Sequence, residues 1–244
     1  MNIAVIFAGG AGKRMHTKDR PKQFLQLYNK PIIIHTLEQF ESCSDIDAIV
    51  VVCIKDWIEH LKQLLYKFRI EKVGMIVSGA DTGQMSIYKG LVAAKELSGN
   101  NKSVVLIHDG VRPIIDSDLI RRNIAAVRDK GSSITTSVVK ETILVVDEKN
   151  NKIKEVPSRK DSRVAKAPQS FWLDEILELH ERAQKDGIFD CIDSCTLMQM
   201  YGHSLYLVDG SDENIKVTTP EDFYIMRALL EAKENAQIYG YGDV

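Results

Sequence analysis

The chain has 244 residues, of which 44% are hydrophobic and 27% are charged, as in an ordinary globular protein. These proportions exclude a disordered chain, a collagen-like fibre and a small disulfide-framed protein. The 32 basic residues nearly balance the 34 acidic ones, and a net charge of −2 provides no global positive field for nucleic acid or an anionic membrane.

Targeting and metal signals are weak throughout the sequence. No apolar stretch approaches the ~20 residues of a membrane span, and the first residues lack the positive segment that opens a secretory signal peptide. The four cysteines form no CxxC pair, so a zinc site is not expected. We therefore expect a cytoplasmic protein with reduced cysteines.

Strands and helices alternate over the first ~140 residues, which is the pattern of βαβ units on a parallel sheet. The first strand, residues 2–7, is a nearly continuous apolar run, as expected of burial on both faces. Further strands are predicted at residues 47–54, 72–77, 103–107 and 132–138, and helices at residues 31–40, 57–68, 86–97 and 119–127. The loops after successive strands meet at one edge of such a sheet, where ligands bind.

Residues 140–166 interrupt this alternation. Two short β-like runs, 143–146 and 153–156, flank a polar turn, which predicts a β-hairpin arm. An isolated hairpin is only marginally stable in water, so we expect the arm to pack on something, such as a second subunit. Beyond it the pattern predicts helices at residues 173–185 and 193–201, a strand at 204–208 and a C-terminal helix from Pro220.

The loop after the first strand, residues 8–15 (AGGAGKRM), is rich in glycine and in basic residues. Glycines let backbone N–H groups approach a phosphate closely. Like charges crowded into one loop are costly unless an anion is bound. The basic residues in and just after this loop are Lys13, Arg14, Lys18, Arg20 and Lys22. The loop is neither a Walker loop nor a complete dinucleotide fingerprint, because the Gly-Lys-Ser/Thr and the third glycine are missing.

Two later loops also carry chemistry. In residues 78–86, Gly79 and Asp81 can present backbone and carboxylate groups to a base, and Ser86 can cap the next helix or bind a ligand; a plain polar connection is the alternative. In residues 108–113, Asp109 follows a buried strand and suits a Mg²⁺ or ribose ligand, while Arg112 can simply pair with it.

A fourth polar segment, residues 213–222, precedes the last helix. Thr219 is predicted to cap that helix, with Pro220 as its first residue. Ile215 and Val217 indicate a strand with Lys216 on its opposite face, either toward a ligand or simply exposed.

Six motifs now stand in order: AGGAGKRM, RPKQFL, SGAD with Ser86, HDGVRP, KAPQSF and NIKVTTPED. In these motifs, over nearly its whole length, the chain resembles the CTP-dependent cytidylyltransferases of sugar-alcohol phosphates. One branch of that family acts on methylerythritol phosphate in isoprenoid synthesis, and another on ribitol 5-phosphate in teichoic-acid or capsule synthesis. The resemblance implies an α/β, Rossmann-like three-layer αβα fold with a mostly parallel sheet, in a single domain (1–244) with a dimerisation arm at about residues 140–166.

The resemblance also implies site residues, residue by residue. It assigns catalysis to Arg14, Lys22 and Lys216. It assigns nucleotide binding to Ala8, Gly9, Gly10, Gly12, Gly79, Asp81, Ser86, Asp109 and Gly110, with Asp109 also next to Mg²⁺. It assigns the acceptor to Arg112, Thr142, Arg159 and Lys216, with Thr142 and Arg159 reaching from the arm into the site of a second subunit. The implied partners are CTP, a polyol phosphate and a second copy of the chain, without nucleic acid or membrane.

Two positions depart from the family pattern. Gly83 stands where the family often has arginine, and Ala167 stands where the isoprenoid branch usually has threonine against the acceptor. The AGG start and KAPQSF favour the ribitol branch. The alternatives are the isoprenoid branch, a nucleotidyltransferase for another nucleotide or sugar phosphate, and a non-catalytic CTP-binding regulator.

Overall fold

The computed structural model describes residues 1–10, 15, 20–147 and 149–239. Helices and strands follow one another much as the sequence predicts. The strands are β1 (Asn2–Ala8), β2 (Gln26–Leu27), β3 (Lys30–Pro31), β4 (Ala48–Cys53), β5 (Val73–Ser78), β6 (Val104–Asp109), β7 (Ser132–Val138), β8 (Val145–Asp147), β9 (Lys152–Glu155), β10 (Arg163–Trp172) and β11 (Leu207–Asp209). The helices are α1 (Ile32–Ser42), α2 (Ile58–Phe68), α3 (Gly83–Ser98), α4 (Ser117–Lys130), α5 (Leu173–Lys185), α6 (Ser194–Met200) and α7 (Pro220–Tyr239).

The main sheet has seven strands in the order β11-β7-β10-β6-β1-β4-β5. β10 runs antiparallel to both of its neighbours, and the other pairs are parallel. β1 lies inside the sheet between β4 and β6, with helices over both faces, which is why its sequence is continuously apolar. The predicted mostly parallel sheet is confirmed.

Two apolar cores lie on opposite faces of this sheet. On one face α1, α2 and α4 pack side chains such as Leu37, Leu61 and Ile120 against the strands. On the other face α3, α5 and α6 do so with residues such as Leu91 and Ile176. These cores make the three αβα layers that the resemblance implied.

Gly90 allows α3 to lie unusually close to the sheet. A Cβ placed on this residue would be 2.6 Å from Cγ1 of Val5 and 2.8 Å from Cγ2 of Val52, closer than real side chains approach. A glycine at this point therefore lets the helix backbone rest on β1 and β4. The consequence is that the first turn of α3 lies beside the ends of those two strands.

Two parts of the main body differ from the sequence prediction. β10 was not predicted, because Lys166 and Pro168 interrupt its pattern, and the register with β7 shifts between Ala165 and Gln169. The predicted strand around Ile215 and Val217 is wrong: those residues join no ladder, and the Val217 N–H instead donates to the Val111 carbonyl at 3.0 Å.

The predicted arm is present as a β-hairpin separate from the main sheet. β8 and β9 pair antiparallel with a register irregularity between Val145 and Val146. Apolar side chains on and beside the arm are exposed to solvent, namely Val138, Ile143, Leu144, Val145, Val146, Ile153, Val156 and Val164. Such a surface is typical of a segment that contacts another protein.

α7 closes a third, smaller core. Val217 and Met226 pack there with Val111, Ile114 and Leu27. The helix begins at Pro220, as predicted, and the Asp222 carboxylate accepts the N–H groups of Thr218 and Thr219, each at 2.8 Å. Within the described ranges, no helix has both the length and the apolar character needed to cross a lipid bilayer.

Candidate active site

The three loops with candidate site residues, which follow β1, β5 and β6, meet at the carboxyl edge of the sheet. A Cβ on Gly9 would lie 3.5 Å from the Cα of Gly79 and 3.7 Å from Oγ of Ser86. A Cβ on Gly110 would lie 3.2 Å from the Cβ of Ala8. The loops after β1, β5 and β6 therefore touch one another, as the parallel-sheet prediction requires.

The start of the first loop is oriented by a buried glutamine. Nε2 of Gln23 donates to the Ala8 carbonyl at 2.5 Å and to the Gly10 carbonyl at 3.5 Å. Gln23 had not been assigned a role, although an amide beside Lys22 in the RPKQFL motif was a signal for one. Two residues predicted to act from this loop, Gly12 and Arg14, lie outside the described residues.

In the second loop, Thr82 rather than Ser86 caps α3. The Thr82 hydroxyl accepts the Met85 N–H at 3.1 Å, so the prediction that Ser86 can be the cap is wrong. Ser86 lies in the first turn, where its Oγ accepts the Ala80 N–H at 2.9 Å and donates to the Thr82 carbonyl at 2.9 Å. It thus holds the loop that carries Gly79 and the exposed Asp81.

Asp109 and Arg112 of the third loop form an ion-paired group with Lys216, which comes from the segment before α7. Oδ2 of Asp109 lies 2.7 Å from Nε of Arg112, and Oδ1 lies 2.5 Å from Nζ of Lys216. Burial alone would raise the pKa of Asp109, but the two cations outweigh it and lower the pKa to about 2. The carboxylate is therefore ionised at neutral pH. Arg112 pairs with Asp109, one of the two alternatives, and it also lines the cavity described below.

His108 contacts the backbone of this ion-paired group. Burial lowers the pKa of its imidazole to about 4, so the ring is neutral at neutral pH. A neutral ring bonded to a carbonyl must be the donor, and Nε2 donates to the Arg112 carbonyl at 3.1 Å. The backbone of Arg112 is thereby fixed from the strand end.

Lys22 is joined to the segment that carries Lys216 by a hydrogen bond to the Val217 carbonyl. Nζ of Lys22 donates to the Val217 carbonyl at 2.9 Å, one residue from Lys216. Nζ of Lys216 also lies 5.5 Å from the centre of the Phe7 ring at the end of β1. Two lysines separated by nearly the whole chain thus come to the same edge of the sheet, as expected for a site that binds a polyanion.

A cavity of about 300 Å³ opens beside these residues. Asp109, Arg112 and Lys216 line it, together with the first turn of α3 and the turn before α6. The lining also includes side chains from β10 and that turn to which no role had been assigned: Lys166, Gln169, Ile192 and Asp193. Lys166 and Gln169 were not predicted to line a cavity because their position depends on β10 running antiparallel through the sheet.

Thr142 and Arg159 do not line this cavity. They lie on the arm, where Nη2 of Arg159 donates to the Thr142 hydroxyl at 3.2 Å. Within one chain, then, the structure brings these two predicted acceptor residues to each other and not to Asp109.

The donor set near the cavity fits a phosphate-bound magnesium ion. Among the described residues no group of three or more His, Cys, Asp and Glu side chains is placed to hold a metal. Asp109 is a single carboxylate, and Mg²⁺ commonly binds through one or two carboxylates, substrate phosphates and water. The residues present therefore suit a metal that arrives with a nucleotide.

Comparison with known proteins places the chain. A family model described as "IspD: 2-C-methyl-D-erythritol 4-phosphate cytidylyltransferase" matches residues 2–232. The chain belongs to the IspD cytidylyltransferase family. It is thus a CTP-using transferase, and the resemblance drawn from the six motifs is confirmed.

Relatives of this IspD-family chain divide between two acceptors. A ribitol-5-phosphate cytidylyltransferase of Streptococcus agalactiae serotype Ia is 52% identical over 98% of this chain and 100% of its own length. A 2-C-methyl-D-erythritol 4-phosphate cytidylyltransferase of Clostridium botulinum is 39% identical over 94% of this chain and 97% of its own. The crystal structure of 4-diphosphocytidyl-2C-methyl-D-erythritol synthase from Anaerococcus prevotii superposes with a TM-score of 0.81 at 27% identity, covering 94% of this chain and 96% of that one, which confirms the predicted fold.

Proposed function

We propose that the protein transfers CMP from CTP to D-ribitol 5-phosphate and releases CDP-ribitol and pyrophosphate. The observation that carries this proposal is the 52% identity to a ribitol-5-phosphate cytidylyltransferase, against 39% to a methylerythritol-phosphate enzyme. Ala167 lines the cavity at a position where the methylerythritol branch usually has threonine, which agrees with the same assignment.

In the proposed reaction, a phosphate oxygen of the acceptor attacks the α-phosphorus of CTP in line. The new phosphorus–oxygen bond forms as the bond from the α-phosphorus to the bridging oxygen breaks, and pyrophosphate leaves with that electron pair. The attacking oxygen is already anionic, so no covalent enzyme nucleophile is needed. Catalysis consists of positioning two polyanions and neutralising the charge between them.

Each predicted site residue has a part in this reaction. Arg112 and Lys216 bind the acceptor phosphate, since both are cations on the cavity wall beside the end of β6. Lys22 neutralises charge developing at the α-phosphate, and Arg14 has the same assignment. Ala8, Gly9, Gly10 and Gly12 line the phosphates and ribose of CTP, and Gly79, Asp81 and Ser86 bind the cytosine. Gly110 also belongs to the nucleotide site, and Asp109 lies near the ribose.

Asp109 is the residue that would hold Mg²⁺. When bound with the triphosphate, the ion supplies positive charge next to the phosphates. Asp109 also keeps Arg112 and Lys216 near that charge, because its two oxygens contact one cation each.

The proposal includes a homodimer joined through the arm. The exposed apolar side chains of the arm would be buried by a second copy. In that arrangement Thr142 and Arg159 reach an acceptor bound to the other subunit, which agrees with their distance from the cavity lining of their own chain.

The test is a pyrophosphate-release assay with CTP, UTP and GTP against ribitol 5-phosphate and 2-C-methyl-D-erythritol 4-phosphate. We expect CTP with ribitol 5-phosphate to give the highest kcat/KM. Preference for methylerythritol phosphate would assign the protein to the other branch. Absence of pyrophosphate with every pair would favour a CTP-binding regulator.

Lys22→Ala serves as the catalytic variant in this assay. Loss of one transition-state charge contact typically costs about 10²–10³ in rate, so kcat should fall at least ~10²-fold. Circular dichroism should show an unchanged fold. A near-normal kcat would remove Lys22 from the mechanism.

A further inference from the structure

Lys166 is a buried ammonium that the proposed reaction does not use. Only 8% of this residue is exposed, although it lines the cavity. Its Nζ donates to two main-chain carbonyls, that of Asp212 at 3.0 Å and that of Asn214 at 3.3 Å. Burial lowers the pKa of Lys166, and the nearby Arg112 lowers it further. A cation kept in such surroundings is costly for folding, and such groups concentrate at functional sites.

The two carbonyls belong to the segment that carries Lys216. We call residues 212–217 the strap. Asn214, at its centre, is fully buried, and its Nδ2 donates to the Ala167 carbonyl at 2.6 Å. The strap forms no ladder with the sheet, and beside the main-chain bond from Val217 to Val111 its path depends on hydrogen bonds from side chains. Lys166 fixes it at two successive points.

The Asn214 carbonyl links Lys166 to Arg112. Nη1 of Arg112 donates to this same oxygen at 2.8 Å, while its Nε contacts Asp109. A carbonyl oxygen has two lone pairs and can accept both donors. The position of this one oxygen therefore sets the plane of the Arg112 guanidinium, and the strap beyond it delivers Lys216.

We propose that Lys166 is a positioning residue that holds the strap so that Arg112 and Lys216 are correctly placed for the acceptor phosphate. The inference rests on the proposed acceptor role of those two cations. Lys166 acts through them and is not itself a ligand of the phosphate.

The test compares Lys166→Met with Lys140→Met. Lys140 is the matched control because it also contacts Asp212, but through the exposed carboxylate, with Nζ 2.7 Å from Oδ2. Lys166→Met removes both hydrogen bonds to the strap, so it should raise the acceptor KM at least ~10-fold, equivalent to about 1.4 kcal/mol of binding free energy. The KM for CTP should stay within about 2-fold, because the nucleotide loops keep their own contacts. Lys166→Arg, which retains a charged donor, should recover most of the loss, and Lys140→Met should match wild type.

Hydrogen–deuterium exchange supplies a readout that needs no acceptor. The Val217 N–H, bonded to the Val111 carbonyl, should exchange faster in Lys166→Met and remain at the wild-type rate in Lys140→Met. If Lys166→Met does not fold, Lys166→Gln, which keeps an N–H donor, takes its place in both assays.

Three results would overturn the inference: an acceptor KM within 2-fold of wild type, an equal rise in both KM values, or a raised acceptor KM with unchanged exchange in the strap. The last would mean that Lys166 contacts the phosphate directly. If wild-type protein releases no pyrophosphate with any acceptor, the proposed function fails, while the exchange comparison still decides whether Lys166 holds the strap.

Discussion

His180 on α5 is a buried histidine whose ring makes no hydrogen bond to any of the described residues. Only 1% of the residue is exposed, and its ring stacks 6.2 Å from that of Tyr88 on α3. Among the described residues, neither ring nitrogen has a hydrogen-bond partner. Burial lowers the pKa of His180 to about 4, which keeps the ring neutral.

This histidine should weaken the protein in acid. The unfolded chain protonates it near its ordinary pKa of 6.5, whereas the folded chain does so near 4, so stability falls as the pH drops through that window. His180→Phe should raise the thermal midpoint by at least about 3 °C at pH 5, and by less at pH 7.5.

Differential scanning calorimetry at both pH values measures this change. His60→Phe, at an exposed position, is the control for replacing a histidine with phenylalanine. Equal midpoint shifts at pH 5 and pH 7.5 would show that the titration of His180 does not contribute.

Single residues were predictable where a short motif follows a strand directly. Asp109 and Arg112 lie three positions apart after β6, so their pairing needed no knowledge of the rest of the fold. Lys166 and Asn214 were not predictable, because their contact joins segments whose relative position depends on β10 and on an irregular strap. A lysine within an apolar run gives no sign of which carbonyls it will meet.

At the scale of elements, the Thr82 side chain both caps α3 and ties the helix to the segment before α6. Its Oγ1 accepts the Met85 N–H and also donates to the Phe189 carbonyl at 2.5 Å. Gln84 adds two bonds to the same incoming segment, from Nε2 to the Ile188 carbonyl and from the Cys191 N–H to Oε1. The start of α3 therefore holds both the loop that carries Gly79 and Asp81 and the turn on the far side of the cavity.

Thr82→Ala should lower the free energy of unfolding by about 1 kcal/mol, the usual contribution of a cap. It should also raise the KM for CTP, because the loop with Gly79 and Asp81 loses its anchor. Urea denaturation and steady-state kinetics measure the two effects. Thr82→Ser keeps the hydroxyl and should resemble wild type; a serine variant as impaired as the alanine variant would exclude the hydroxyl as the cause.

The central parallel strands β1, β4 and β6 were predictable from their hydrophobic sequences, since these strands are buried on both faces. The amphipathic pattern of α2, with Leu61, Leu64 and Leu65 on its buried side, likewise predicted a helix within a residue of its observed bounds. Elements defined by long-range pairing were harder to predict. β10 owes its path to β6 and β7 rather than to its own pattern, which Pro168 breaks.

At the scale of the whole molecule, the arm determines whether a site is made by one chain or two. If Arg159 acts across a dimer, a chain with Lys22→Ala and a chain with Arg159→Ala should complement each other. Half of the randomly formed dimers are mixed, and one of the two sites in each mixed dimer carries neither change. Mixing by co-refolding or co-expression should therefore restore about a quarter of wild-type activity.

The assay is run at an acceptor concentration below the wild-type KM, because Arg159→Ala alone should mainly raise that KM. Size-exclusion chromatography with light scattering establishes the mass of each species. Activity of the mixture equal to the average of the two parents would place Arg159 in the site of its own chain. A monomeric wild-type protein would remove the arm from the site altogether.

The ion pairs of Asp109 have a consequence for product release. If Arg112 and Lys216 bind the acceptor phosphate as proposed, that phosphate must compete with Asp109, because the carboxylate already contacts both cations. In that case, departure of the product would return each cation to the carboxylate, so the largely buried Arg112 would not be left without a counter-charge. The same exchange of partners would weaken binding and ease dissociation. A transferase that must release two highly charged products in every cycle benefits from that balance.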